Sequence, residues 1–307
     1  MMCAVYAYPK LSEWDFAFFR LIGPGLGNLL FPWARAVASA ERNSMTMIFP
    51  AWPQIKVGTV LRREKDKRFY TGLFKATDEY ISGCRKLSLL IRRKKIKEDD
   101  YTHDVSYYNS ADKDIVVVFK GLGKRGARFA PFIKDHDLIF KKLLEITRSV
   151  HTKALDFDFS GSVSVHVRLG DFTTPENEEK LKEDFHNYRI PISWYCSQIE
   201  KIRDRISKDI KVYIFSDGRD DELAQIFKLG NTERISFGSS IADMIALSCS
   251  NILIASGSAF SQWASFLGRM PVLWHPGRLR EKLYYDKPNL EIEIDRDSDL
   301  PFDILNV

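Results

Sequence analysis

Cysteine is scarce in this sequence and nowhere close-spaced. The four cysteines, Cys3, Cys84, Cys196 and Cys249, form no C-x-x-C pair. That distribution offers neither a zinc ribbon nor a disulfide framework, and it fits a reducing compartment. Long apolar runs are also missing. The opening stretch, MMCAVYAYPKLSEWDFAFFRLIG, is interrupted by Lys10, Glu13, Asp15 and Arg20, so it reads neither as a signal peptide nor as a membrane span. No charge of one sign dominates. With 46 basic and 41 acidic side chains the net charge is +5, too small an excess for a nucleic-acid coat. It suits a protein that handles phosphates or lies near an anionic membrane. Internal repeats and low-complexity segments are absent as well. What remains is an ordinary globular balance, 45% apolar and 28% charged over 307 residues, enough for one large domain or two smaller ones.

The second half alternates short apolar runs with helix-length amphipathic stretches. The runs are Val163–Arg168, Val212–Phe215, Ile252–Ala255 and Val272–Trp274. Between them lie Ser193–Ile206, Asp220–Leu229, Ile241–Cys249 and Ser258–Leu267. Strand, helix, strand, helix at this spacing predicts a parallel sheet with crossover helices. In the first half the apolar run Phe16–Ile22 leads into a glycine-rich segment, Gly23 to Asn28. A helical pattern with Leu29, Leu30, Trp33, Val37 and Ala38 on one side follows, with Pro32 expected in its first turn. Short strands are expected at Met45–Phe49 and Ile115–Phe119, while 53–112 is harder to read. The polar stretch HTKALDFDFSGS at 150–161 marks a boundary, giving domains 1–155 and 156–307. The expected fold class is α/β: two Rossmann-like domains facing a cleft, the ligand at the carboxyl ends of the strands.

Four segments carry chemistry. In Ser164-Val165-His166-Val167-Arg168-Leu169-Gly170-Asp171 a buried strand ends in a turn, and His166 and Arg168 project from the same face. An arginine there can fork onto a phosphate; a strand-end Arg–Asp salt bridge with a packed histidine would use the same residues. The segment Gly25-Leu26-Gly27-Asn28 opens a helix and can present free N–H groups to an anion, although Asn28 stands where a dinucleotide fingerprint needs its third glycine. Asp217, in Phe215-Ser216-Asp217-Gly218, ends another strand, where it could pair with a guanine or cap the next helix. Ser256, Gly257 and Ser258 precede the last helix, as an anion site or as ordinary caps.

Together these segments resemble the fucosyltransferases with an H-x-R-x-x-D type motif, most of all the α-1,2-fucosyltransferase family (glycosyltransferase family 11) and its bacterial members. The matches are Gly25-Leu26-Gly27-Asn28, His166-Val167-Arg168-Leu169-Gly170-Asp171, Phe215-Ser216-Asp217 and Ser258-Ala259-Phe260-Ser261-Gln262-Trp263, in the family's order. The resemblance implies a GT-B-like fold and metal-independent, inverting fucosyl transfer from GDP-fucose to a glycan hydroxyl. In it Arg168 grips the diphosphate and His166 and Asp217 contact the guanosine. Ser256 and Ser258 contact phosphate, while Gly25, Gly27 and Asn28 approach the donor from the first domain. Asp171 and Glu176 are the candidates for general base. Departures are Pro24, Leu29, Gln262 and above all Leu169, which stands where the family has a second arginine.

No cofactor or metal is expected. Asp156-Phe157-Asp158 has the look of a metal-binding pair but follows no buried strand. The basic run Arg85–Lys97, RKLSLLIRRKKIK, would if helical set Leu87, Leu90 and Ile91 beside a basic surface. That suits peripheral contact with an anionic membrane or a solvated helix. The expected location is cytoplasmic, possible contact being with the inner membrane face, and no nucleic acid is expected as a partner. Other readings are a peptide O-fucosyltransferase-like enzyme, another nucleotide-sugar transferase of the same fold, or a basic membrane- or nucleic-acid-surface protein. Acceptor choice is expected to lie in residues 50–112.

Overall fold

The structure, a computed structural model, describes residues 4–56, 68–102, 114–182, 187–284, 286–301 and 304. They divide into two compact units, the first running to Ser149 and the second beginning at Val150.

The first unit contains strands β1 (Ala4–Lys10), β2 (Trp14–Asp15), β3 (Arg20–Leu21), β4 (Thr46–Met47), β5 (Gln54–Ile55), β6 (Lys94–Lys97) and β7 (Asp114–Lys120). Its helices are α1 (Leu26–Arg42), α2 (Gly83–Arg92) and α3 (His136–Ile146). Four strands form a parallel sheet in the order β4-β1-β7-β6. β1 and β7 pair from Ala4↔Asp114 to Lys10↔Lys120, and Ala7, Ile115, Val116 and Val117 in their middle are wholly buried. The strand entering this sheet is thus β1, and the run Phe16–Ile22 contributes only the two-residue β3. Phe16, Phe18, Phe19 and Ile22 are exposed, because β3 belongs to a small three-stranded sheet, β2-β3-β5, with no large sheet to cover them.

α1 is buried nearly all round, which explains its run of alanines and large apolar residues. Pro32 is its seventh residue and so lies in the second turn, a correction to the expected first-turn position. Having no N–H, it cannot donate to the carbonyl of Asn28. The basic run Arg85–Lys97 is not one helix either. α2 stops at Arg92, and Lys94–Lys97 form edge strand β6, whose lysines suit an edge that must not pair further.

The second unit contains β8 (Ser162–Val167), α4 (Glu178–Lys182), α5 (Ile192–Arg205), β9 (Lys211–Ser216), α6 (Ala224–Phe227), β10 (Thr232–Arg234), α7 (Ser240–Ser248), β11 (Ile252–Ile254), α8 (Ala259–Gly268), β12 (Val272–Trp274) and β13 (Glu291–Glu293). All six strands are parallel, in the order β10-β9-β8-β11-β12-β13. Counted within the unit this is 3-2-1-4-5-6, the doubly wound dinucleotide-fold order, and the order reverses between β8 and β11. The apolar core joins Val163, Val165 and Val167 of β8 to Trp194, Ile199 and Ile202 of α5 and Ile214 of β9.

The helix expected over Asp220–Leu229 shrinks to four residues. Asp220 and Asp221 are held by Arg234 and Arg219, and Gly230 and Asn231 turn the chain at positive φ. Residues 150–161 are not a free linker. They fold into the second unit, where Phe157 and Phe159 pack against Tyr213 and Phe237. Close approach of α7 and α8 requires Gly268, where a methyl group would fall 2.1 Å from the Ser248 carbonyl oxygen.

Candidate functional site

The loops after β8, β9 and β11 all leave the carboxyl edge of the second sheet at or beside its switch point. They bring together Arg168, Asp171, Asp217, Ser256, Ser258 and, at the end of β8, His166. At the centre is Arg168. Its guanidinium lies 2.5 Å from Asp171 Oδ1 and 2.9 Å from Asp217 Oδ2, so one cation sits between two carboxylates. Its side chain keeps 23% exposure, and Asp171 and Asp217 keep 38% and 28%. The arginine is therefore neutralised while open to solvent, and an incoming polyanion could exchange for either carboxylate.

Asp217 does more than pair with arginine. Oδ1 accepts from the backbone N–H of Leu169 at 2.8 Å and Oδ2 from that of Gly170 at 3.1 Å, tying the β9 end to the β8 loop. It does not cap the following helix, one of the two readings of its sequence position. Gly170 is needed for this approach, since a methyl group there would lie 2.3 Å from Asp217 Oδ2. Leu169 is 4% exposed and belongs to the apolar core, against Gly218. Position 169 thus faces inward, which gives a physical reason for leucine rather than a second arginine.

His166 is buried beneath this loop. Its Nδ1 is 2.6 Å from Ser261 Oγ and 3.1 Å from Ser256 Oγ, and its ring lies against Phe260 at 4.9 Å. Burial pushes its pKa down to about 3; Asp217 opposes that shift and Arg168 adds to it. The imidazole is neutral at pH 7 and anchors a hydroxyl cluster. Ser256 Oγ donates to Ser258 Oγ at 2.9 Å, and Ser261 Oγ accepts from the Ser256 N–H at 3.1 Å. Ser258 is the N-cap of α8, its hydroxyl accepting from the Ser261 N–H at 3.4 Å. The cap reading and the cluster reading of this turn therefore hold together. Gly257 adopts φ +70°, and the stem of buried Arg278 fills the space beside it.

Arg278 and Ser261 were not singled out from the sequence. Arg278 follows the Pro276-Gly277 turn after β12, a strand-end position like that of Arg168, and this signal was there to be read. Its charge reaches Tyr195, whose hydroxyl is held far above its ordinary pKa mainly by burial, with Arg278 opposing and Asp217 adding. Glu176 is exposed in the bend before α4, on the same loop as Asp171 but in none of these contacts. Asp156 ends a 3-10 turn, and Asp158 closes a local turn by accepting from the Ser160 N–H. Among the described residues no three His, Cys, Asp or Glu side chains converge to hold a metal ion, and no helix is long and apolar enough to cross a membrane.

Gly25, Gly27 and Asn28 lie in the first unit. Gly25 is the N-cap of α1, and its carbonyl accepts from the N–H groups of Asn28 and Leu29 at 3.0 and 3.3 Å. The bend before it is set by Gly23, where a methyl group would fall 2.5 Å from the guanidinium of buried Arg20.

The mixed α/β chain with its parallel sheets has a GT-B-like fold. Residues 129–271 match the model of glycosyl transferase family 11, a span that takes in every switch-point loop just described and leaves out the glycine-rich segment. The resemblance read from the motifs is to this same family. No curated protein matches the chain in sequence. Among solved structures, the fucosyltransferase NodZ from Bradyrhizobium is 16% identical, with TM-score 0.50 over 87% of this chain and 94% of that one. POFUT1 in complex with GDP is 11% identical, with TM-score 0.52 over 88% and 98%. At such identities the likeness is one of fold.

Proposed function

We propose that the chain transfers fucose from GDP-fucose to a glycan hydroxyl with inversion and without a metal ion. The observation that carries this reading is Arg168, solvent-reachable between Asp171 and Asp217 at the switch point of a nucleotide-type sheet. NodZ was co-crystallized with GDP and soaked with GDP-fucose, which supports the donor.

In the proposed step the acceptor oxygen bonds to the anomeric carbon from one face while the bond to the diphosphate oxygen breaks on the other. Arg168 takes up the charge left on GDP, an interaction worth about 2–5 kcal/mol for a buried charge pair. Arg278 adds a second fixed positive charge beneath the Ser256–Ser258 turn, in place of a cation that inward-facing position 169 cannot supply. Ser256 and Ser258 offer hydroxyls to phosphate. His166 acts by holding Ser256 and Ser261 rather than by reaching the nucleoside. Asp217 shapes the β8 loop, both its oxygens being engaged by backbone N–H groups. Asp171 and Glu176 remain the candidates to accept the acceptor's proton, and Gly25, Gly27 and Asn28 are assigned to the donor on the resemblance alone. A reducing, cytoplasmic setting with peripheral membrane contact suits the free thiols Cys84, Cys196 and Cys249 and the basic face of the first unit.

Calorimetric titration with GDP, with ADP and UDP as controls, tests the donor. Selective GDP binding that is largely lost in Arg168→Ala is the expected outcome. Equal binding of the three nucleotides, or indifference to Arg168, would overturn the reading.

A further inference from the structure

The first sheet has a switch point of its own. From β1 the chain adds β4 on one side, while β7 and β6 lie on the other, so the order reverses between β1 and β7. Open α/β sheets bind ligands at the carboxyl ends of strands beside such a reversal. The carboxyl ends of β1, β7 and β6 carry Lys10, Lys120 and Lys97, and beside them a groove of about 530 Å³ opens between the sheet and α2. That volume lies within the roughly 300–1,000 Å³ usual for small-molecule sites.

The groove has two chemistries. Its walls are apolar: Leu87, Leu90 and Ile91 of α2 face Val118 of the sheet, and Phe16 stands at its edge. Leu87 and Ile91 are 39% and 69% exposed, an unusual state for neighbouring aliphatic residues on one helix. Its rim is cationic, with Lys10, Lys95, Lys97 and Lys120. Of the two acidic groups nearby, Glu13 is engaged by lysines, while Asp15 keeps its buried Oδ2 without a hydrogen bond. Glu13 spans Lys10 and Lys120 at 3.6 and 3.3 Å while itself 72% exposed, so an incoming anion can displace it at little cost. Asp15 turns Oδ1 to the Tyr8 hydroxyl at 2.7 Å and the Ala17 N–H at 2.9 Å. Among the described residues Lys95 and Lys97 have no ion pair, and the register sets Lys97 beside Val118 on the face that Tyr8 and Lys120 share.

An apolar trough with ammonium groups at its mouth matches neither a bare phosphate, which has no use for the trough, nor an uncharged glycan, which has none for the lysines. We propose that this groove is a binding site for a lipid phosphate, a single apolar chain lying along α2 with its phosphate or diphosphate on the four lysines. A lipid phosphate so bound holds whatever its head group carries at the carboxyl edge of the first sheet. The assignment does not depend on the donor reading, because every residue it uses lies in the first unit.

The test is calorimetric titration of the full chain with farnesyl diphosphate in excess GDP, beside inorganic pyrophosphate and farnesol. Farnesyl diphosphate is expected to bind at least tenfold more tightly than either fragment. Reversing both Lys97→Glu and Lys120→Glu should weaken it tenfold or more, as should Ile91→Asp at its exposed position. A separate GDP titration of the same variants should stay within twofold of the parent, which checks folding and keeps failure of this site apart from failure of the donor site. Pyrophosphate binding as tightly as farnesyl diphosphate would overturn the proposal, as would indifference to both sets of substitutions. So would attachment to phosphatidylglycerol vesicles that farnesyl diphosphate does not compete away, which would mark a membrane-docking face instead.

Discussion

The two carboxylates that flank Arg168 should answer to the same substitution with opposite signs. Asp171 is 38% exposed, so its pair with Arg168 is worth about 0.2–1 kcal/mol, the range of solvent-exposed ion pairs. In Asp171→Asn the fold should change by no more than that, while a competitor for the guanidinium disappears. GDP should then bind about 1.5- to 5-fold more tightly. Asp217 also holds the N–H groups of Leu169 and Gly170, and the asparagine that replaces it keeps a single acceptor oxygen. One N–H must then face an amide NH₂, with loss of a charged-acceptor hydrogen bond worth about 1.5–3 kcal/mol. Asp217→Asn should therefore lower stability by that amount and weaken GDP as the β8 loop loosens. Arg168→Ala should weaken GDP by about 2–5 kcal/mol, roughly thirtyfold to several thousandfold. Urea denaturation and GDP calorimetry on the three variants give both columns. A tenfold weakening of GDP by Asp171→Asn would refute the competitor argument and place that carboxylate on the ligand side.

Restoring an arginine at position 169 should harm the protein. Leu169→Arg buries a guanidinium in the core beside Gly218, at a cost of about 2–5 kcal/mol in urea denaturation, and tighter GDP binding at unchanged stability would contradict the inward placement. Gly257→Ala and Gly230→Ala both force a methyl group onto positive φ, +70° and +68°, but only Gly257 has a neighbour, the Arg278 stem at 2.9 Å. Gly230→Ala should cost about 1–2 kcal/mol and leave GDP alone. Gly257→Ala should cost more and weaken GDP, and equal behaviour of the pair would remove Arg278 from the site. His166 titrates at about 3 when folded against about 6.5 when unfolded, so between those values the unfolded chain binds one more proton. Its contribution to stability is intact above pH 6.5 and falls by about 1.4 kcal/mol per unit below it. Thermal and urea unfolding at pH 7.5 and 5.0 should thus differ by about 2 kcal/mol more in the parent than in His166→Gln, and identical slopes would count against a neutral buried imidazole.

The second sheet could be read because its strands are buried on both faces, and apolar runs such as Ile252–Ile254 bounded by polar turns predict such strands. Of the first sheet, Met45–Phe49 and Ile115–Phe119 mark β4 and β7, while β1 and β6 were hidden by their own composition. β1, Ala-Val-Tyr-Ala-Tyr-Pro-Lys, has the small and amphipathic residues of a strand that enters a ligand groove, and it looks less apolar than Phe16–Ile22, which stays outside the sheet. β6, Lys-Lys-Ile-Lys, looks like a charged tail of the preceding helix, and only pairing with β7 makes it a strand. The same logic runs through the switch-point cluster. His166, Arg168, Asp217 and the serines were visible because polar residues at the ends of apolar runs must be explained. The links among them were not, since Asp217 meets Leu169 across 48 residues and His166 meets Ser261 across 95. Leu169 shows the limit of motif reading most clearly. A residue that looks like a lost cation by alignment of letters is, by direction of its side chain, a core leucine. Arg278, more than a hundred residues later, is brought by the fold to the Gly257 turn, where its stem fills the space beside the glycine.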